Sequence, residues 1–528
     1  MTDNQSNIDG VSEQHSFSRK LGAFTSATLI SRFLGYVRDA LVAAFFGGGL
    51  QTDAFYAAFK VPNLVRRFFG EGSMTAAFVP VFTDVVAKEG KAEAQRFINS
   101  LFSGLLAVLT IIVGLGILFA PQLTRIVAWG FVQDPEKFSL TVDLIRLICP
   151  FLLVISLAAL VTSILNSSGR FFIPAVSPSG LSIGEIGFIV LFAAHVASPI
   201  HWLAVSAVVG GAIHLLWQIP SLTREGFHLR LIKPFSHPKV KTVFLLMIPT
   251  IFGLGADQIN SFVDQFSASF LINGSITALY NSNRIMQLPL ALFGVAVASV
   301  SLPALSKAAS NDQHDEFKNL LNFSLRIANY VLIPSFVGLA VLGFPIVQAL
   351  FQHGKFTIDN SRMTYAALVP YALGLPAYSA VKILATGFYA RKNTRTPVKI
   401  SFLAVTINAV GNVVLMRQWG VAGLALATAI AAWFQAGALF LLLRRDMGNL
   451  GGKELVKSFI SGSLVGLFMG IVCWIVSTHL LRQAPLAIRV TASIAAGLLT
   501  YFTCSKLFRI KEYQFFVDSL TRRRLPVR

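Results

Sequence analysis

Long apolar runs separated by short polar segments recur along all 528 residues of the chain. Each run is about 20 residues or longer, which is enough to cross the hydrocarbon core of a bilayer as a helix. The pattern predicts an all-α polytopic membrane protein with about 14 transmembrane helices. We expect these helices within the ranges 21–46, 53–86, 98–120, 140–166, 175–197, 201–220, 242–272, 277–304, 322–350, 364–390, 397–416, 420–443, 455–478 and 486–508.

The polar segments between the runs alternate in their content of lysine and arginine. One set is rich in these residues, as in 224–241, 391–399 and 506–528. The opposite set is poor in them, and 47–52, 198–201 and 273–276 contain none. Because cytoplasmic loops of membrane proteins collect Lys and Arg, this alternation predicts that both termini lie in the cytoplasm.

Composition supports the same class of protein. Hydrophobic residues make up 54% of the chain and charged residues 13%, and the mean hydropathy is +0.67. A soluble domain carries about 25% charged residues, so this chain has too few to cover a water-facing surface. The net charge of +20 is then explained by membrane orientation, and we predict no nucleic-acid partner.

Two stretches of the sequence, 131–174 and 351–397, resemble each other and indicate an internal repeat of six spans in parallel orientation. The matched positions are Lys137 with Lys355, Pro150 with Pro370 and Arg170 with Arg391. We therefore predict a cytoplasmic tail at 1–20, a first lobe at 21–225, a basic linker at 226–241, a second lobe at 242–445, two additional helices at 446–510 and a basic tail at 511–528.

Several charged residues fall inside predicted spans, where each costs at least a few kcal/mol. They are Arg32, Arg38 and Asp39 in the first span, Asp53 and Arg66 in the second, Arg284 in the eighth and Lys382 in the tenth. Such cations indicate a water-filled cavity, a bound anion or a partner on another helix. Arginine suits phosphate and carboxylate, so a multiply anionic substrate is one interpretation. The alternative is that these groups, Asp39 above all, satisfy neighbouring charges without touching a ligand.

A second polar set consists of Asp264 in the seventh span, Asn408 and Asn412 in the eleventh and Thr428 in the twelfth. Carboxylate, amide and hydroxyl oxygens are suitable ligands for a hard cation, so these residues are a candidate sodium site. Hydrogen bonding between helices is the competing interpretation, since membrane bundles use polar side chains in this way.

Specific motifs then make the chain similar to the MurJ/MviN lipid II flippases. These motifs are S-R-F-L-G-Y-V-R-D-A, T-D-A-F, P-N-L-V-R-R-F-F-G-E-G, L-P-A-L-S-K, F-Q-H-G-K-F-T and G-F-Y-A-R-K-N-T-R-T-P-V-K. The resemblance covers about Lys20 to Arg509 and implies the multidrug/oligosaccharidyl-lipid/polysaccharide exporter fold, with two six-helix lobes and two extra helices that form a lipid-facing groove.

The same resemblance implies roles for individual residues. It places Arg32, Arg38, Asp39, Asp53, Arg66 and Arg284 in a central cavity and likens the Asp264 set to a sodium site of some relatives. Some members have an acid three residues after the arginine that matches Arg284, whereas this chain has Gln287.

The function expected from these features is flipping of lipid II across the bacterial inner membrane by a monomeric, non-enzymatic transporter, with membrane lipids as its surroundings and sodium as the candidate ion. An exporter of the same fold for another polyprenyl-linked glycan or a drug is the alternative. A membrane enzyme acting on polyprenyl phosphate would need paired carboxylates or metal ligands, which the sequence does not offer. A scaffold or receptor would leave the charges within the spans unexplained.

Overall fold

The computed structural model describes residues 28–69 and 73–520. The predicted tail at 1–20 and the end of the basic C-terminal tail lie outside these residues. Within them the chain is helical and contains no β-strand, which confirms the all-α prediction. Nine described helices are long and apolar enough to cross a membrane, and a tenth span results if the bent pair Ile358–Leu373 and Leu375–Ala390 is counted as one.

The first half of the described chain contains nine helices. The first, α1, covers 28–46. The others are α2 (Leu50–Phe69), α3 (Ser73–Leu118), α4 (Ala120–Val127), α5 (Pro135–Ser167), α6 (Phe172–Val176), α7 (Ser179–Leu191), α8 (Pro199–Arg224) and α9 (Lys239–Ala268), with a 3-10 turn at Trp129–Gln133.

The second half also contains nine α-helices. They are α10 (Ser275–Pro289), α11 (Ala296–Ser310), α12 (His314–Phe351), α13 (Ile358–Leu373), α14 (Leu375–Ala390), α15 (Arg395–Met447), α16 (Gly452–Ile475), α17 (Leu486–Leu507) and α18 (Lys511–Leu520). Two π-helical segments, Leu290–Val295 and Val476–Leu480, continue α10 and α16.

Two of the longest helices are interrupted at glycine. Gly90 in α3 has φ of 83° and Gly420 in α15 has φ of 54°, a backbone region that side chains other than that of glycine rarely enter. The break at Gly420 separates the spans predicted at 397–416 and 420–443. In contrast, the single span predicted at 53–86 is divided between α2 and α3. Span counting by apolar length therefore does not reproduce the helix boundaries in these two regions.

The helices group into two compact units, one ending at Gln258 and the other beginning at Ile259. Each unit contains an equivalent ion pair. In the first, Arg170 Nε lies 2.7 Å from Glu225 Oε1, and in the second, Arg391 Nη1 lies 3.4 Å from Asp446 Oδ2. Both pairs join residues 55 positions apart, each at the end of a helix. The repeat that matches Arg170 with Arg391 thus extends to their partners.

Glycine allows two pairs of helices to approach closely. In the first unit, a Cβ atom on Gly184 would lie 2.7 Å from Gly210 Cα, so α7 and α8 are in backbone contact. In the second, Gly462, Gly466 and Gly470 form a stripe on α16 that faces α12. Small residues four apart let membrane helices pack through their backbones, where dispersion contacts are strongest.

The connection from α8 to α9 is an extended segment that is hydrogen-bonded to one face of α3. Side-chain oxygens at positions 95, 99 and 103 accept the backbone N–H groups of residues 228, 230 and 232, at 2.9, 3.0 and 3.0 Å. Four residues of a helix rise about 6 Å, and two residues of an extended chain span roughly 6.6 Å. Every fourth residue of α3 therefore lies opposite every second residue of the extended segment. The predicted basic linker is thereby an ordered part of the first unit.

Candidate functional site

Arg38 and Asp39 form the centre of a buried charged cluster in the first unit. Arg38 donates from Nη2 and Nε to Asp39 Oδ1, at 2.7 and 3.0 Å. Its Nε also lies 3.6 Å from Glu185 Oε2, on α7. All three side chains are nearly inaccessible to solvent, with exposures of 12% for Arg38 and 2–3% for the acids.

Glu185 was not among the residues singled out in the sequence. A signal existed, since it is the only acid of α7 and stands among apolar residues in L-S-I-G-E-I-G-F. Its charge is offset by Arg38 from a different helix, and no spacing rule within one segment could have found that pair. Arg32, two turns before Asp39 on α1, is exposed.

Asp53 lies in a buried ion pair with Lys137. Lys137 Nζ is 2.9 Å from Asp53 Oδ2, and both residues are at most 3% exposed. The Lys137 ammonium group also lies 4.1 Å from the centre of the Phe131 ring, a favourable cation–π position. Asp134 caps the same end of α5 by accepting from the Lys137 N–H. The sequence predicted Asp53 as a substrate contact. In the structure its ion pair with Lys137 joins α2 to α5.

Arg66, on α2, is half-buried and bonds to its own helix. Its Nε and Nη2 atoms donate to Asn63 Oδ1 at 3.0 and 2.8 Å. Asn63 is neutral, so this contact orients the guanidinium group without cancelling its charge.

The two predicted cations of the second unit lie on α10 and α14. Arg284 and Lys382 are each half-buried. Gln287, which replaces the acid of some relatives, donates from its amide to Asn283 on the same helix. Arg284 and Lys382 belong to the second unit, whereas Arg32, Arg38, Asp39, Asp53 and Arg66 belong to the first. Their convergence on one cavity remains a prediction.

The Asp264 set is brought together by the second unit. Asn408 and Asn412 donate to Asp264 Oδ1 at 2.6 and 2.9 Å, and the Thr428 hydroxyl donates to Asp264 Oδ2 at 3.1 Å. Both asparagines are fully buried. The four residues come from α9 and from both segments of α15, on either side of the break at Gly420. Sequence spacing alone could pair only Asn408 with Asn412.

One oxygen of this set has no hydrogen-bond partner among the described residues. Asn412 Oδ1 is buried and accepts from no described donor, while Asn408 Oδ1 receives only a long 3.4 Å contact from Thr428. A buried acceptor without a partner costs about 1–3 kcal/mol, so a ligand that used it would stabilise the fold. The donor set present is one carboxylate, two amide oxygens and one hydroxyl, which fits a hard monovalent cation.

These features define a class of protein, a helical membrane transporter built from two repeated units with charged groups buried at membrane depth. Comparison with known proteins gives the family. The model of the family described as "Lipid II flippase MurJ" matches residues 42–489. The chain belongs to this family and is a multi-pass protein of the bacterial inner membrane with a part in transport for peptidoglycan synthesis.

Individual relatives cover most of the chain. It is 33% identical over 510 residues to the probable lipid II flippase MurJ of Vibrio cholerae, covering 93% of this chain and 96% of that protein. The lipid II flippase MurJ of Burkholderia cenocepacia is 33% identical over 431 residues, 81% of this chain and 84% of that one.

Solved structures give the same result for the fold. A lipid II flippase MurJ in an inward closed conformation aligns with a TM-score of 0.79 at 28% identity, over 94% of this chain and 99% of that one. An inward-facing multidrug transporter of the MATE family aligns with a TM-score of 0.65 at 11% identity, over 81% and 98% of the two chains. The second likeness concerns the fold alone.

Proposed function

We propose that this protein moves lipid II from the cytoplasmic to the periplasmic leaflet. Family membership over residues 42–489 carries the proposal, and the cations at membrane depth support it. Lipid II bears a pyrophosphate and peptide carboxylates on a polyprenyl tail, so its headgroup needs cationic partners while its tail needs an apolar surface. Guanidinium groups bind such oxyanions through paired hydrogen bonds.

In the proposed cycle, the headgroup enters a central cavity from the cytoplasmic side and is held by Arg32, Arg38, Arg66 and Arg284, with Lys382 adding charge. The two lobes then exchange inward-open and outward-open states while the tail stays in lipid. We assign Arg32 to first contact because it is exposed, and Arg66, whose guanidinium group donates to Asn63, to a later contact with the anion. The protein itself forms or breaks no covalent bond in this cycle.

The test measures lipid II exposed on the outer leaflet of cells that are depleted of their own flippase and express this chain. Wild type should restore exposure, whereas Arg32→Glu, Arg38→Glu or Arg284→Glu should abolish it at equal expression. Lys318→Glu is a matched control, because Lys318 pairs on the surface with Asp315. Full activity in all three variants would refute the cationic cavity. Failure of well-expressed wild type would instead favour an exporter of another polyprenyl-linked glycan or of a drug.

We also propose that Asp264, Asn408, Asn412 and Thr428 hold a sodium ion. Bound sodium would supply a positive charge that holds α9 and the two segments of α15 together. For this, the amide oxygens must face the ion, and a rotation of each amide group by half a turn would achieve that. Binding is tested apart from transport by thermal unfolding of the purified protein in sodium chloride and in choline chloride. Equal unfolding temperatures in the two salts would exclude the site.

A further inference from the structure

Both units contain an asparagine three positions before an arginine at membrane depth. In the first unit these residues are Asn63 and Arg66 on α2. In the second they are Asn281 and Arg284 on α10. Each member follows its counterpart by 218 positions, the same separation as between the matched lysines of the internal repeat. The packing agrees, because α2 lies against α5 and α10 against α13, the two helices that carry the matched prolines.

The two asparagines differ in their hydrogen bonds. Asn63 Oδ1 accepts from Arg66 Nε and Nη2, at 3.0 and 2.8 Å. In contrast, neither Oδ1 nor Nδ2 of Asn281 has a hydrogen-bond partner among the described residues, although the side chain is only 1% exposed. Arg284 therefore does not donate to Asn281 in this structure, even though the same spacing along a helix allows the bond in the first unit.

A buried amide without partners is costly, because both of its polar atoms have lost their contacts with water. A leucine side chain has nearly the same size and would not carry this cost. The amide of Asn281 therefore destabilises the arrangement seen here, and its partner must come from a ligand or from another arrangement of the protein. The first unit indicates which group within the chain can supply it, namely the guanidinium group three residues later.

We propose that Asn281 is a positioning residue for Arg284 and accepts from its guanidinium group when the anionic headgroup of the substrate is bound. Arg284 is then held as Arg66 is held by Asn63. A guanidinium group has five N–H donors, so two bonds to the amide leave three for the oxygens of the headgroup. This inference rests on the proposed transport of lipid II. It means that substrate binding brings the second unit into an arrangement that the first unit already has.

The test compares thermal unfolding of the full-length protein in detergent micelles with and without lipid II, because a ligand of the folded state raises the unfolding temperature. Asn281→Leu should raise the unfolding temperature without lipid II by about 2 °C, since it removes the unpartnered amide. The same variant should weaken lipid II binding about tenfold, as expected for the loss of a hydrogen bond to a charged group. Exposure of lipid II in flippase-depleted cells should fall with it. A purely structural role would change stability and binding in the same direction.

Three further variants make the comparison specific. Asn63→Leu removes an amide that has its partner in this structure, so it should lower the unfolding temperature without lipid II. Thr364→Val removes another buried group of the second unit, a hydroxyl on α13 that has no described hydrogen-bond partner. It should raise the unfolding temperature and leave lipid II binding unchanged. Asn281→Ala lacks the amide without requiring space for leucine, and it should weaken binding as Asn281→Leu does.

Other results would overturn the proposal. Unchanged lipid II binding in both Asn281→Leu and Asn281→Ala would exclude a positioning role for Asn281 and leave the proposed function intact. Equal weakening of binding in Thr364→Val would assign the loss to the packing of α10 on α13 instead of the amide. If wild type showed no response to lipid II, the proposed function would fail and this inference would fail with it.

Discussion

The buried acids that the sequence singled out have different partners in the two units. In the first unit Asp53 and Asp39 contact Lys137 and Arg38, so each carboxylate receives a cation. In the second, Asp264 accepts hydrogen bonds from two amides and a hydroxyl, which are neutral. The units nevertheless keep the equivalent pairs Arg170–Glu225 and Arg391–Asp446. The two repeats therefore share the ion pair at the ends of their helices but differ in the partners of these buried acids.

The difference has a physical consequence. Removing one member of a buried ion pair destabilises the protein strongly, because the other member is left as an uncompensated buried charge. The Asp264 carboxylate and the oxygen of Asn412, which accepts from no described donor, are ligands of the kind that a hard cation uses. We therefore expect charge removal to be damaging at Lys137 and Arg38, and sodium to act at Asp264.

The largest effect should follow Lys137→Met. The buried Asp53 carboxylate would lose its cation, at a cost of about 3–5 kcal/mol in the free energy of unfolding. A denaturant titration of the purified protein measures this. Lys355→Met is the matched control, since Lys355 is the repeat equivalent but is exposed, and should change stability by about 0.5 kcal/mol or less. Adding Asp53→Asn to Lys137→Met should recover most of the loss, and no recovery would show that Asp53 is not the affected partner.

A somewhat smaller loss, about 3 kcal/mol, is expected for Arg38→Met. Asp39 and Glu185 would then share a buried site without the guanidinium group that lies between them. Glu185→Gln tests the same cluster from the other side, and it should cost less than about 1 kcal/mol because the Arg38–Asp39 pair survives. If Glu185→Gln were the more damaging substitution in the same titration, Glu185 rather than Asp39 would be the main partner of Arg38.

These pairs also show how far sequence reasoning reaches. Apolar run length predicted the helical class, and the similarity between residues 131–174 and 351–397 predicted the repeat, because both signals can be read directly along the chain. The Arg38, Asp53 and Asp264 positions were found because a charge in an apolar run is costly wherever it occurs. Sequence reasoning did not find Glu185 as a partner of Arg38 or Lys137 as a partner of Asp53, since each partner lies on a different helix. Lys137 follows Asp53 by 84 residues.

For the second unit we expect Asp264→Asn to cost about 2 kcal/mol, because a neutral amide would replace an acceptor of three hydrogen bonds. The same substitution should remove any difference between unfolding temperatures in sodium chloride and choline chloride. Asp359→Asn, at an exposed acid of α13, should leave both quantities unchanged. A sodium effect that survives Asp264→Asn would place the ion elsewhere and would weaken the contrast between the units.

The smallest expected effect concerns the extended connection of the first unit, which is held by neutral hydrogen bonds at the surface of α3. Asn99→Ala removes the acceptor of the Arg230 N–H and should cost about 1 kcal/mol, confined to that connection. Amide hydrogen exchange at residues 228–232 should accelerate about fivefold, since 1.4 kcal/mol corresponds to tenfold. Thr223→Ala, which removes a hydroxyl bonded within its own helix, should leave the exchange unchanged. Were exchange instead to accelerate throughout α3, the connection would be part of the cooperative core, and neutral contacts would contribute as much to the first unit as its buried ion pairs.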